Sequence, residues 1–160
     1  MRGRLAITAG VVVLALACAP KKLILLSPED DYSDDPELVV KVQRIVEATA
    51  GRTEVTLSVD NKHEASLPLG EATVTLIDAS EKPMPLLSRP AEPVPAGQTR
   101  VVAFAFDTST ASKGAFEMRM SIPGSKVWPI VFSQEKPPEF KPTPEPQQGQ
   151  PPGFGGPSPY

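Results

Sequence analysis

The chain has little of what most chemical sites are built from. Its 160 residues hold one cysteine, one histidine, one tryptophan and two tyrosines. A single cysteine, Cys18, excludes an internal disulfide. The single histidine, His63, lies in the polar stretch Asp60-Asn61-Lys62-His63-Glu64, without neighbours at the spacing of a metal site or a general base. It reads as a turn residue. No glycine-rich phosphate loop and no nucleophile–base motif occurs, so no catalytic residue, metal site or cofactor is expected, and the chain does not read as an enzyme. Positive charge is also scarce. The formal net charge is −3, which leaves no electrostatic footprint for nucleic acid. The apolar run Leu5 to Ala17 falls short of the ~20 residues needed to cross a bilayer.

That run has a different context. Met1-Arg2-Gly3-Arg4 supplies a basic start, and Ala15-Leu16-Ala17 places small residues before Cys18. This is the layout of a secretory signal peptide over 1–17, expected as a short signal helix. Leu14-Ala15-Leu16-Ala17-Cys18 resembles the lipobox of bacterial lipoproteins, with Ala15 where that family usually has leucine. The resemblance implies that the Cys18 thiol carries a diacylglycerol and that the chain is cut just before it. Two or three acyl chains on one residue hold far more firmly than the reversible attachment of one. The protein is then exported and lipid-anchored to the cell envelope. Ala19, not being aspartate, implies the outer membrane, facing the periplasm, if the source has two membranes. Ala15-Leu16-Ala17 also reads as an ordinary small-x-small site, which leaves a secreted soluble ligand-binding domain as an alternative.

Residues 18–36 read as a lipid-anchored linker. Fully extended, it would reach about 60 Å at ~3.3 Å per residue. The patch Leu23-Ile24-Leu25-Leu26 has an alternative place as an edge strand docked on the following domain. Glu29-Asp30-Asp31, Asp34-Asp35 and Glu37 are read as a solvated acidic stretch. Their spacing lacks the turn glycine of a Ca²⁺ loop.

Residues 37–135 carry period-two patterning. Val55, Leu57 and Val59 alternate with polar residues, as do Val74 and Leu76, and Phe116, Met118 and Met120. Val102, Phe104 and Phe106 share one face of their strand. Trp128, Ile130 and Phe132 are expected to share another. Turn signals at 50–52, 60–62, 95–97, 112–114 and 123–125 separate the runs. Leu38 to Thr49 fits two patterns. Leu38, Val42, Ile45, Val46 and Thr49 lie on one helical face, but the density of β-branched residues favours a strand. The fold class expected is all-β: an immunoglobulin-like antiparallel β-sandwich of about seven strands. Trp128 and the phenylalanines at 104, 106, 116 and 132 are expected to fill its core.

Residues 136–160 hold most of the proline excess, with nine prolines between Pro137 and Pro159. Nearly free of aliphatic side chains, this tail reads as disordered with polyproline character.

The segments Val-Thr-Leu-Ser-Val-Asp-Asn-Lys at 55–62, Ala-Thr-Val-Thr-Leu-Ile-Asp-Ala at 72–79 and Val-Pro-Ala-Gly-Gln-Thr-Arg-Val-Val-Ala-Phe-Ala-Phe-Asp at 94–107 form a series. Over Val55 to Phe132 the chain resembles the telokin-like immunoglobulin-fold domains of bacterial lipoproteins. The resemblance covers about half the chain. It implies a fold and no catalytic residues. The function expected is a non-catalytic binding or assembly module of the cell envelope, partnered by the membrane and another envelope protein. Met84, Leu86 and Leu87, and in the tail Phe154 and Tyr160, are the candidate partner contacts. A purely structural module with a spacer tail is the alternative.

Overall fold

The computed structural model describes residues 20–27, 29–49 and 51–134. The stretch read as a signal peptide, Cys18 and the proline-rich tail lie outside the described residues. Within them the protein is all-β, with two antiparallel sheets. The strands are β1 (Lys21–Lys22), β2 (Ile24–Leu25), β3 (Leu38–Thr49), β4 (Arg52–Asn61), β5 (Thr73–Ile77), β6 (Pro83–Met84), β7 (Leu86–Ser88), β8 (Gln98–Asp107), β9 (Ala115–Ile122), β10 (Ser125–Lys126) and β11 (Ile130–Ser133). One sheet runs β1-β3-β4-β8-β7 and the other β2-β11-β9-β5-β6, with β10 paired to β9.

The alternation in the sequence decides which faces meet. Val55, Leu57 and Val59 of β4 are fully buried, as are Phe104 and Phe106 of β8. Met118 of β9 and Ile130 and Phe132 of β11 answer them from the other sheet, and all belong to one core cluster. The arrangement is sandwich-like, with the inner faces of both sheets sharing one core. Phe116 and Phe132 are register partners on adjacent strands, stacked with ring centroids 5.5 Å apart. Such cross-strand aromatic pairs add to burial and pin the register.

Leu38–Thr49 is a strand. Its pairing with β4 shifts between Val42 and Arg44, so the inward residues run Leu38, Val40, Val42 and then Ile45. A bulge inserts one extra residue and turns a spacing of two into three. That irregularity is what gave the segment its helical appearance. The turn into β4 uses Gly51 at φ +80°. A Cβ there would lie 2.7 Å from Ser109 Cα, so both the left-handed backbone and the space require glycine.

Two expectations need correction. Residues 21–36 are not a free linker: the alternative of an edge strand docked on the domain holds for Ile24–Leu25, and the first described strand starts at Lys21. Lys21 and Lys22 pair with Glu47 and Val46, and Ile24 and Leu25 pair with Ser133 and Phe132. The chain thus steps from one sheet to the other, with Leu23 buried between them and its N–H donated to Ile45 O at 2.9 Å. Tyr32 is fully buried, and its hydroxyl donates to Ser27 O at 2.7 Å. Apolar side chains at 23 and 32 therefore hold the segment on the domain. Trp128 is not in the core: it is 43% exposed, while Val127 is buried. Strand β11 starts only at Ile130, and the alternation does not run back through Pro129. The Trp128 ring lies under Lys126 Nζ at 4.7 Å.

Candidate functional site

The residues expected to contact a partner fall into three groups. Met84 is 4% exposed and packs in the core, so it is withdrawn as a surface contact. The reason is the register of β6, which pairs Met84 with the inward-facing Leu76. Leu86 is half-buried against the core on β7, and Leu87 is 53% exposed. The chain crosses between sheets here, with β6 on one and β7 at the edge of the other. Prolines 83 and 85 suit such short edge strands, where no ladder donor is needed. Cys18, Phe154 and Tyr160 lie outside the described residues.

The densest polar cluster gathers at one end of the sandwich. Asp35, just before β3, accepts from Ser125 Oγ at 2.7 Å, at the start of β10. His63, in the loop after β4, places Nε2 2.8 Å from Asp35 Oδ2 and Nδ1 3.0 Å from Glu37 Oε2. Each ring nitrogen of His63 thus faces a carboxylate. The Ser125 hydrogen bond, the Glu37 backbone N–H and His63 hold the Asp35 carboxyl below the usual carboxylate range. The chemistry of this cluster is that of a clasp. Ser125 donates to Asp35 and not to the imidazole, so the ring is not set to withdraw the serine proton. The cleft beside it, lined by His63, Leu67, Pro68, Pro123 and Gly124, measures about 230 Å³. That is below the ~300–1,000 Å³ of ordinary small-molecule sites.

Two further polar side chains fix loops. Asn61, fully buried at the end of β4, donates from Nδ2 to Ala65 O, Val94 O and Pro95 O at 2.9–3.2 Å and accepts from His63 N. It ties the loop after β4 to the loop before β8, where Leu67 and Val94 also bridge. Asp78 accepts from the backbone N–H groups of Ser80, Lys82 and Ser112 at 2.8–2.9 Å. The Ser112 bond leads in lowering its pKa.

Sequence reasoning missed a groove beside the first two strands. Lys22, Leu23, Ile24 and Leu25 form one wall, and Val42, Gln43, Arg44 and Ile45 the other, around a volume of about 470 Å³. Its floor is apolar and its rim carries Lys22 and Arg44. The signal that pointed to it was the apolar patch 23–26 following a lysine pair. No protein family, curated protein or solved structure matches the chain.

Proposed function

We propose that the mature protein is a lipid-anchored cell-envelope module. It is held by acyl chains on Cys18 and uses a non-catalytic, immunoglobulin-like sandwich to bind or assemble with another envelope component. The observation that carries the fold reading is strand order. Read β3, β4, β8 and β7 as strands A, B, E and D, and β11, β9, β5 and β6 as G, F, C and C′. The sheets then follow the ABED and GFC orders of that architecture, with C′ added. The telokin-like segments at 55–62, 72–79 and 94–107 fall on β4, β5 and β8 with their flanking turns, which supports the same reading.

The polar side chains in loops support a binding role over a chemical one, since Asp35, His63, Asn61 and Asp78 are engaged in holding the turns. Leu87 on the edge strand β7 and Val101 on β8, 68% exposed, offer apolar contact area on one sheet. The tail, with Phe154 and Tyr160, offers a polyproline segment for an aromatic groove.

In-cell cross-linking with affinity purification tests this, comparing the full chain, a chain ending at Glu135, and Leu87→Glu. A specific partner lost on truncation assigns contact to the tail. One retained on truncation and lost in Leu87→Glu assigns it to the β7 edge. No specific partner with any form overturns the assembly role. Mass spectrometry of the mature amino terminus tests the anchor separately, through acylation of Cys18.

A further inference from the structure

We propose that the β1–β2 edge of the sandwich, with the bulged part of β3, is a docking surface for anionic phospholipid headgroups. The bilayer is the one that carries the anchor, so the inference rests on lipidation of Cys18. The first argument is reach. Lys21 is already paired in a sheet, three residues after Cys18. At ~3.8 Å per residue, the backbone allows at most about 11 Å between them. The headgroup layer on each side of a bilayer is itself roughly 5–7 Å thick. A domain attached so closely stays near the surface with the β1 edge the part nearest to it, and the charge and apolar area of that edge then decide whether it stays against the bilayer.

The second argument is charge. The chain is net negative, yet this edge presents Lys21, Lys22 and Arg44, all exposed. None of the three has an ion-pair partner among the described residues. The carboxylate opposite Lys21, Glu47, is half-buried and accepts from Gly51 N at 3.3 Å, in the β3–β4 turn. Three cations at an anionic surface correspond to a preference on the order of a hundredfold over a neutral one. The third argument is apolar area. Ile24 and Leu25 are each 37% exposed, next to each other and to the lysine pair. They line the groove that Lys22 and Arg44 rim, which suits an interface where phosphate meets acyl chain.

The test uses the full lipidated protein in two kinds of vesicle: phosphatidylcholine alone, and three parts phosphatidylcholine to one part phosphatidylglycerol. Gln43→Cys places a thiol on the exposed bulge, and Ser88→Cys places one on the opposite edge strand β7. An acylated Cys18 is silent to maleimide, so each variant reports a single site. In anionic vesicles, Gln43→Cys is expected to label on the order of tenfold more slowly than in detergent, with Ser88→Cys changed less than about twofold. Adding Lys21→Glu, Lys22→Glu and Arg44→Glu restores the fast rate. Equal labelling at both sites in anionic vesicles, with Cys18 unreactive, overturns the docking surface and leaves the anchor standing. Equal protection in both vesicle types overturns the role of anionic headgroups. A reactive Cys18 thiol overturns the anchor and this inference with it.

Discussion

Asn61 is the side chain whose loss should cost most for its size. Its amide has two protons and three carbonyl acceptors, so the adjacent carbonyls of Val94 and Pro95 share one of them. Its oxygen accepts from His63 N at 3.1 Å. Asn61→Ala removes all of this at a site with no solvent exposure. The carbonyls do not all become orphans. Val94 O also accepts from Leu67 N, and Pro95 O from Gln98 N. Ala65 is exposed, so water can replace the lost donor there. At a net value near 1 kcal/mol per bond, with two carbonyls keeping a second donor, the loss comes to about 2–3 kcal/mol. For a domain of this size that is a fall in Tm of roughly 10–20 °C.

Asn61→Asp sharpens the test. It keeps the shape and the acceptor for His63 N, but points a second oxygen at three carbonyls. At neutral pH this leaves an unpaired buried charge, and the expected cost exceeds that of alanine. Urea unfolding followed by far-ultraviolet circular dichroism and by Trp128 fluorescence measures both, with an unchanged denaturant slope as the sign of an intact two-state transition. An aspartate variant as stable as wild type, or more stable than the alanine variant, would refute the staple.

Three further outcomes follow from the same physics. Phe132→Ala, in the core and against Phe116, should cost about 3–5 kcal/mol, whereas Trp128→Ala should cost no more than about 1 kcal/mol, since its ring contact is an exposed one with Lys126; thermal unfolding by circular dichroism separates them. Gly51→Ala should destabilise more than Gly97→Ala in the same assay: both glycines have positive φ, worth roughly 1–2 kcal/mol for alanine, but only at Gly51 would the new Cβ meet backbone. Asp35, Asp78 and Asp107 all have carboxyls held below the ordinary 3.8, led by hydrogen bonds from Ser125, Ser112 and Ser109 respectively. Below that value the unfolded chain binds more protons, so their stabilisation is present above it and lost as pH falls through the folded values. The urea midpoint should therefore drop as pH is lowered below about 4, and Asp78→Asn should flatten part of that drop; a midpoint independent of pH in that range would refute it.

The fold class was legible because five segments kept strict alternation and had turn residues between them. β4 and β9 alternate buried and less buried positions along their whole length, so period two was enough to find them. β3 was harder because a bulge places Ile45 three positions after Val42, and a spacing of three is shared with a helix. Trp128 misled for the opposite reason. The alternation through 127–132 is formally intact in sequence, but the strand holding Ile130 and Phe132 does not reach back to it. Composition also misjudged residues 20–36. A stretch with three prolines, two lysines and five acids resembles a solvated linker, and only Leu23 and Tyr32 belong to the core. Two buried side chains give no periodicity. The strands they support, β1 and β2, are two residues each, too short for any pattern to register.

That short segment changes how the ends of the molecule relate to its middle. With a linker to residue 36, the sandwich would reach tens of ångströms from the anchor and turn freely. With β1 beginning at Lys21, two residues separate Cys18 from the first described strand, and on the proposed lipidation the orientation of the sandwich becomes a property of the fold. On the proposed lipidation of Cys18, the β1–β2 edge faces the bilayer, while β7, at the other end of the five-stranded sheet, and Leu87 on it face away. On that proposal, the geometry that sets a membrane-facing edge also sets which edge is left for a partner. Lengthening the chain between Cys18 and Lys21 with a flexible glycine–serine insert uncouples the two. The insert should release labelling at Gln43→Cys while leaving the unfolding midpoint unchanged. A midpoint that falls with the insert would instead mean that the attachment to Cys18 itself supports the pairing of β1 with β3.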